Sequence, residues 1–113
     1  MITIYHNTRC SKSREALKIL GNSGKDFHIR EYLKNPLDEE ELRILLNKLG
    51  MTPIQIVRKN ENLWKETYKG KDLSDDEIIR ILANNPRLIE RPIIESGNSA
   101  VIGRPSSQIE KLI

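Results

Sequence analysis

One thiol stands in this chain: Cys10, in the stretch "HNTRCSKSRE", has His6, Arg9, Lys12 and Arg14 as neighbours. A single cysteine cannot close an internal disulfide, so it is a packing group, a ligand that needs partners, or a reactive group. A thiol attacks as its thiolate, and a helix N-terminus with cations nearby stabilises that form. If a helix begins after Cys10, the amides of Ser11, Lys12 and Ser13 have no helical carbonyl to serve, and the helix dipole adds positive potential. With Arg9, Lys12 and Arg14 alongside, the thiol is expected to ionise below the usual ~8.5. The hydroxyl of Ser13 is placed to donate to the sulfur, and a protonated His6 acts in the same direction. The plainer alternative is that free cysteines often serve as small buried hydrophobes. Against it, "NTR" before Cys10 and "SKSR" after it are polar. One Cys and two His, with His28 in an expected strand, make a poor zinc set without well-placed carboxylates, so no metal is expected.

Three further arginines fall where regular structure breaks: Arg58 in "IVRKN", Arg91 in "ERPI" and Arg104 in "GRP". Most arginines are solvated surface charges. Arg91 and Arg104 each precede a proline, which favours extended backbone and permits a cis bond, so Arg91 is placed to be held rigidly beside a turn. A guanidinium offers a planar fork of donors to oxyanions. Gathered around Cys10, the three would form a nucleophile facing a cage for a tetra-oxo anion.

Elements must carry these groups to one place. "ITIYH" is rich in β-formers, and residues 11–20 put Ala16, Leu17, Ile19 and Leu20 at helical spacing, with Gly21 and Gly24 available as stops. "FHIREY" reads as a second strand, which makes a β-α-β unit with parallel strands. In "DEEELRILLNKLG", Leu42, Leu45, Leu46 and Leu49 form one stripe, Asp38 and Glu41 are spaced as a capping box, and Gly50 is a stop. "LSDDEIIRILANNP" repeats that grammar with Ser74, Glu77, an inward face of Ile78, Ile81 and Leu82, and an end at Asn85–Pro86. Shorter helical turns lie between them, one starting near Pro53. "RPIIESGNSAVIGRP" reads as a hairpin about "SGN", and "SSQIEKLI" as a closing helix. The expected fold is α/β: a mixed four-stranded sheet, β-α-β then β-β-α, with a helical subdomain inserted at about 37–86. The chain is expected to be a single domain over 1–113.

The length, 113 residues, suits one compact core. No apolar run approaches the ~20 residues of a membrane span, and "MITIYHN" lacks the parts of a signal peptide, so no membrane is expected and a cytoplasmic location follows. Residues 1–34 carry seven basic and three acidic side chains, whereas 35–86 carry eight and ten, so the basic excess travels with Cys10. Dense basic runs interleaved with aromatics are absent, so the expected partner is a small anion and not a nucleic acid.

Taken in order, "HNTRCSKSR", the helical middle, "ERPI" and "GRP" with a short terminal helix resemble the arsenate reductases that use glutathione and glutaredoxin, an ArsC/Spx-like branch of the thioredoxin superfold. The resemblance covers essentially the whole chain. It implies Cys10 as nucleophile, His6 promoting the thiolate and Ser13 hydrogen-bonding the sulfur. It further implies Arg58, Arg91 and Arg104 as oxyanion ligands, Pro92 as the cis-proline beside the site, and Arg14 as a structural neighbour. No bound cofactor is implied; glutathione is a co-substrate, glutaredoxin a partner, and the chain a monomer. With no second cysteine, reducing equivalents come from outside. Thr8 and Ser11–Lys12 depart from the longer plasmid resistance enzymes, which have Pro and Gly-Thr there, and place the chain nearer a shorter chromosomal branch. Two alternatives remain: a regulator of the Spx type docking on RNA polymerase, against which Ser13 argues because that branch usually carries CxxC, and a glutathione-dependent thiol-disulfide reductase.

Overall fold

The computed structural model describes every residue, Met1–Ile113. The chain divides into two units, one built from residues 1–36 and 91–113, the other from 37–90. The first unit contains β1 (Ile2–Tyr5), α1 (Ser11–Asn22), β2 (Phe27–Arg30), β3 (Ile93–Ser96) and β4 (Ser99–Ile102). Its sheet runs β2-β1-β3-β4, with β1 parallel to β2 and antiparallel to β3, and β3 antiparallel to β4. Ile4 stands opposite Ile29 on one side and Ile94 on the other. The alternation that leaves Thr3 half-buried turns Ile2 and Ile4 inward, where they cluster with Ala16 and Leu20 of α1, Ile94 and Ile109. These strand directions bring four points of the chain to one end of the sheet. They are the ends of β1, β2 and β4, and the start of β3.

The mixed four-stranded sheet is the expected one, with differences at element ends. Gly21 does not stop α1, which runs on to Asn22. Ser23 closes it, its Oγ donating to the Leu20 carbonyl at 2.6 Å, and the left-handed residue is Gly24 at φ 77°. The hairpin turns on Gly97 and Asn98 between the paired Ser96 and Ser99, with Gly97 at φ 59°, the residue that a II′ turn wants in first place. The closing segment Ser106–Lys111 is a 3₁₀ helix where an α-helix was expected. Short end segments commonly take this tighter form, and burial of Ile109 anchors it.

The second unit holds α2 (Glu39–Leu49), a 3₁₀ turn Pro53–Ile56, α3 (Asn62–Thr67), α4 (Asp75–Asn84) and a 3₁₀ turn Pro86–Leu88. Both expected capping boxes form: Asp38 Oδ1 accepts from the Glu41 amide at 2.8 Å, and Ser74 Oγ from the Glu77 amide at 3.2 Å. Gly50 ends α2 at φ 67°. Leu42, Leu45 and Leu46 are buried as the stripe requires. On α4 the buried set is Ile78, Ile79 and Leu82, so Ile79 takes the place expected of Ile81. The helical segment continues past Pro86 to Glu90, because Val57 and Ile89 bridge and the Glu90 amide donates to the Ile56 carbonyl at 2.7 Å. No helix is long and apolar enough to cross a membrane.

Candidate active site

At the end of β1 the chain stays paired for one more residue, the His6 amide donating to the Arg30 carbonyl at 2.9 Å. Asn7–Arg9 then form a tight loop. The Arg9 amide donates to Asn7 Oδ1 at 3.0 Å, the Cys10 amide to the Asn7 carbonyl at 3.1 Å, and Arg14 Nη1 to the Thr8 carbonyl at 3.0 Å. Arg14 therefore acts on the loop's backbone. Cys10 is the N-cap of α1, with extended backbone, and the Arg14 amide closes the first helical bond on its carbonyl at 3.0 Å.

Cys10 is 7% exposed, and two sets of forces act on its sulfur. Burial, the largest influence, opposes ionisation. The Ser13 amide, a hydrogen bond from Arg104, the Lys12 amide and the Arg104 charge act the other way and together prevail, so the thiol pKa lies below its ordinary value. Arg104 Nη2 stands 3.5 Å from Sγ, and its Nε donates to the Arg91 carbonyl at 2.9 Å. The guanidinium is thus fixed by the backbone before proline, with Nη2 turned to the sulfur. Arg91 is half-buried, its Nε and Nη1 shielded from solvent, and joined to Pro92 by a cis bond, as is Arg104 to Pro105.

Two expected details come out differently. The Ser13 hydroxyl is engaged at 2.6 Å with His6 Nδ1 and accepts from the Asn7 amide at 3.0 Å, so it is the Ser13 backbone that faces the sulfur. His6 is 4% exposed, and desolvation, the leading influence on it, lowers its pKa; Glu31 raises it and Arg14 lowers it further. Near neutral pH the imidazole is uncharged. It braces the loop through Ser13 and adds no cationic charge for the thiolate.

Cys10, His6, Ser13, Arg14, Arg91, Pro92 and Arg104 all belong to the sheet-bearing unit. Arg58 belongs to the helical unit, where its guanidinium lies 3.5 Å from Glu61 and 3.9 Å from Glu90 and its amide donates to the Leu88 carbonyl at 2.7 Å. Sequence reasoning missed Asn7 and Glu31. The Asx turn of Asn7 was readable in "HNTR". Glu31 reaches His6 only through the pairing of β1 with β2.

The model of the ArsC family matches residues 5–112. An arsenate reductase of Neisseria meningitidis is 39% identical over 99% of this chain and 97% of its own. The protein YfgD of Escherichia coli K12, itself uncharacterized, is 40% identical over 99% of this chain and 96% of its own. Among solved structures, an arsenate reductase from Vibrio cholerae superposes with a TM-score of 0.94 at 39% identity, covering 99% of this chain and 97% of that one. The sheet order, the helical segment and this likeness make the fold thioredoxin-like.

Proposed function

The chain belongs to the ArsC family, and on that premise we propose that it reduces arsenate to arsenite, with Cys10 as nucleophile and glutathione and glutaredoxin as external reductants in the cytoplasm. One observation carries the reading: the Cys10 sulfur, at the first turn of α1, has Arg104 Nη2 at 3.5 Å and a lowered pKa. The same guanidinium that stabilises the thiolate lies where an incoming oxyanion would meet it.

In the proposed sequence the thiolate attacks arsenic, displaces water or hydroxide and forms a sulfur–arsenic(V) bond. A glutathione thiolate then bonds to the Cys10 sulfur. The electron pair of the sulfur–arsenic bond passes to arsenic, arsenite departs, and a Cys10–glutathione disulfide remains for glutaredoxin to clear. Arg91 and Arg104 serve as oxyanion ligands; by analogy with oxyanion-hole donors, each contributes ~3 kcal/mol of transition-state stabilisation. Neutral His6 and the Ser13 hydroxyl hold the loop that aims the sulfur.

A coupled assay with arsenate, glutathione, glutaredoxin, glutathione reductase and NADPH tests this. Arsenate-dependent NADPH consumption should appear and vanish in Cys10→Ser. Activity that survives the substitution removes Cys10 as nucleophile. Brisk turnover of glutathione mixed disulfides without arsenate turnover would assign the chain to thiol-disulfide reduction.

A further inference from the structure

Beside the Cys10 loop lies a recess of about 210 Å³ that the chemistry above leaves unused, lined by His6, Asn7, Thr8, Arg9, Glu31, Leu33 and Lys34. Lateral order in the sheet places it. Glu31, Leu33 and Lys34 follow β2, whereas Arg91 and Arg104 flank β3 and β4, and β1, which leads to Cys10, runs between. The recess and the arginines therefore lie to either side of β1, at the end of the sheet from which the chain runs on to Cys10. His6 is buried yet lines the recess; with Nδ1 committed to Ser13, Nε2 is the ring's remaining polar atom for an occupant. Glu31 and Lys34 pair across 3.6 Å with exposed side chains, an ion pair that opens at little cost.

Displacement at sulfur is in-line, so a thiol that bonds to Cys10 as arsenic leaves must arrive from the side opposite arsenic. We propose that this recess binds one zwitterionic arm of glutathione, its carboxylate toward Arg9 and Lys34 and its ammonium toward Glu31, so that the co-substrate thiol meets Cys10 from the side of β1 opposite Arg104. The inference rests on Cys10 being the nucleophile. Arg9 and Lys34 complement the single carboxylate of that arm, and Glu31 complements its ammonium. The volume lies below the ~300 Å³ of the smallest drug-sized pockets, which suits one arm of the tripeptide while its thiol extends to the sulfur.

The test omits arsenate. Cys10 thiolate reacts with oxidised glutathione to give the Cys10–glutathione disulfide and one free glutathione thiolate; hydroxyethyl disulfide undergoes the same exchange without charge. Rates with both are measured for wild type, Lys34→Glu, Glu31→Gln and Lys12→Glu, the last an exposed charge reversal outside the recess. Lys34→Glu should slow the glutathione reaction about fivefold relative to the neutral disulfide, Glu31→Gln should also slow it selectively, and Lys12→Glu should do so by much less. Unchanged selectivity in Lys34→Glu, or an equal loss in Lys12→Glu, overturns the inference. Recess-dependent selectivity without any arsenate turnover would overturn the oxyanion reading alone, while arsenate turnover with unaltered KM for glutathione in Lys34→Glu would overturn this one alone.

Discussion

The sulfur of Cys10 is governed by backbone and by one guanidinium more than by neighbouring side chains in sequence. Arg9, Lys12 and Arg14 made the segment look electropositive, yet Lys12 pairs with Glu15 at 3.8 Å and Arg14 binds the Thr8 carbonyl. Arg104, 94 residues away, makes the side-chain hydrogen bond to the sulfur. Ser13 separates the roles of backbone and hydroxyl. Ser13→Ala keeps the amide that faces the sulfur, so the pH midpoint of alkylation should stay below the ordinary thiol value. The same change strips His6 Nδ1 and the Asn7 amide of their partner and should lower stability by about 1–3 kcal/mol in urea unfolding. A raised alkylation midpoint with stability intact would return the hydroxyl to the sulfur.

At the scale of elements, local chemistry was readable and distant partners were not. Asp38 with Glu41 and Ser74 with Glu77 are contacts three residues apart, so their boxes follow from spacing alone. The same holds for Cys10 at the start of α1 and for Gly97 in the hairpin. Ile79 displaced Ile81 because the apolar face of α4 is chosen by what packs on it, and four isoleucine and leucine positions in the five residues 78–82 satisfy either choice. Gly103 shows a tertiary demand on one residue: a Cβ there would stand 3.0 Å from Ile94 Cδ1 and Pro92 Cγ and 3.3 Å from Ile109 Cγ1. Its amide also donates to the Pro92 carbonyl at 2.8 Å, which ties the segment before Arg104 to the start of β3. Gly103→Ala should therefore cost about 1–3 kcal/mol of stability, seen as a lower urea midpoint, and reduce oxyanion affinity through displacement of Arg104. Wild-type stability in that variant would show that Pro92 and Ile94 yield freely.

For the whole molecule, the sheet-bearing unit supplies the nucleophile and two arginines, while the third arginine of the sequence reading lies in the helical unit between two carboxylates. Spacing could suggest Arg58 as a donor; it could not reveal Glu90 as its companion, because 32 residues separate them. His6 also couples the site to global stability. Its folded pKa is lowered below 6.5, so the unfolded chain binds the extra proton first, and stability present above that value is lost as pH falls through the folded pKa. Urea midpoints should thus drop as pH falls below about 6.5, and the drop should shrink in His6→Gln; an unchanged slope would place the acid sensitivity elsewhere. The account as a whole depends on an ionised sulfur held by Arg104 and the first amides of α1, and thiolate absorbance followed across pH in wild type and Arg104→Ala tests that directly. A wild-type midpoint below that of an ordinary thiol, shifted upward in the variant, is the expected result. An ordinary midpoint that the substitution leaves in place would contradict it.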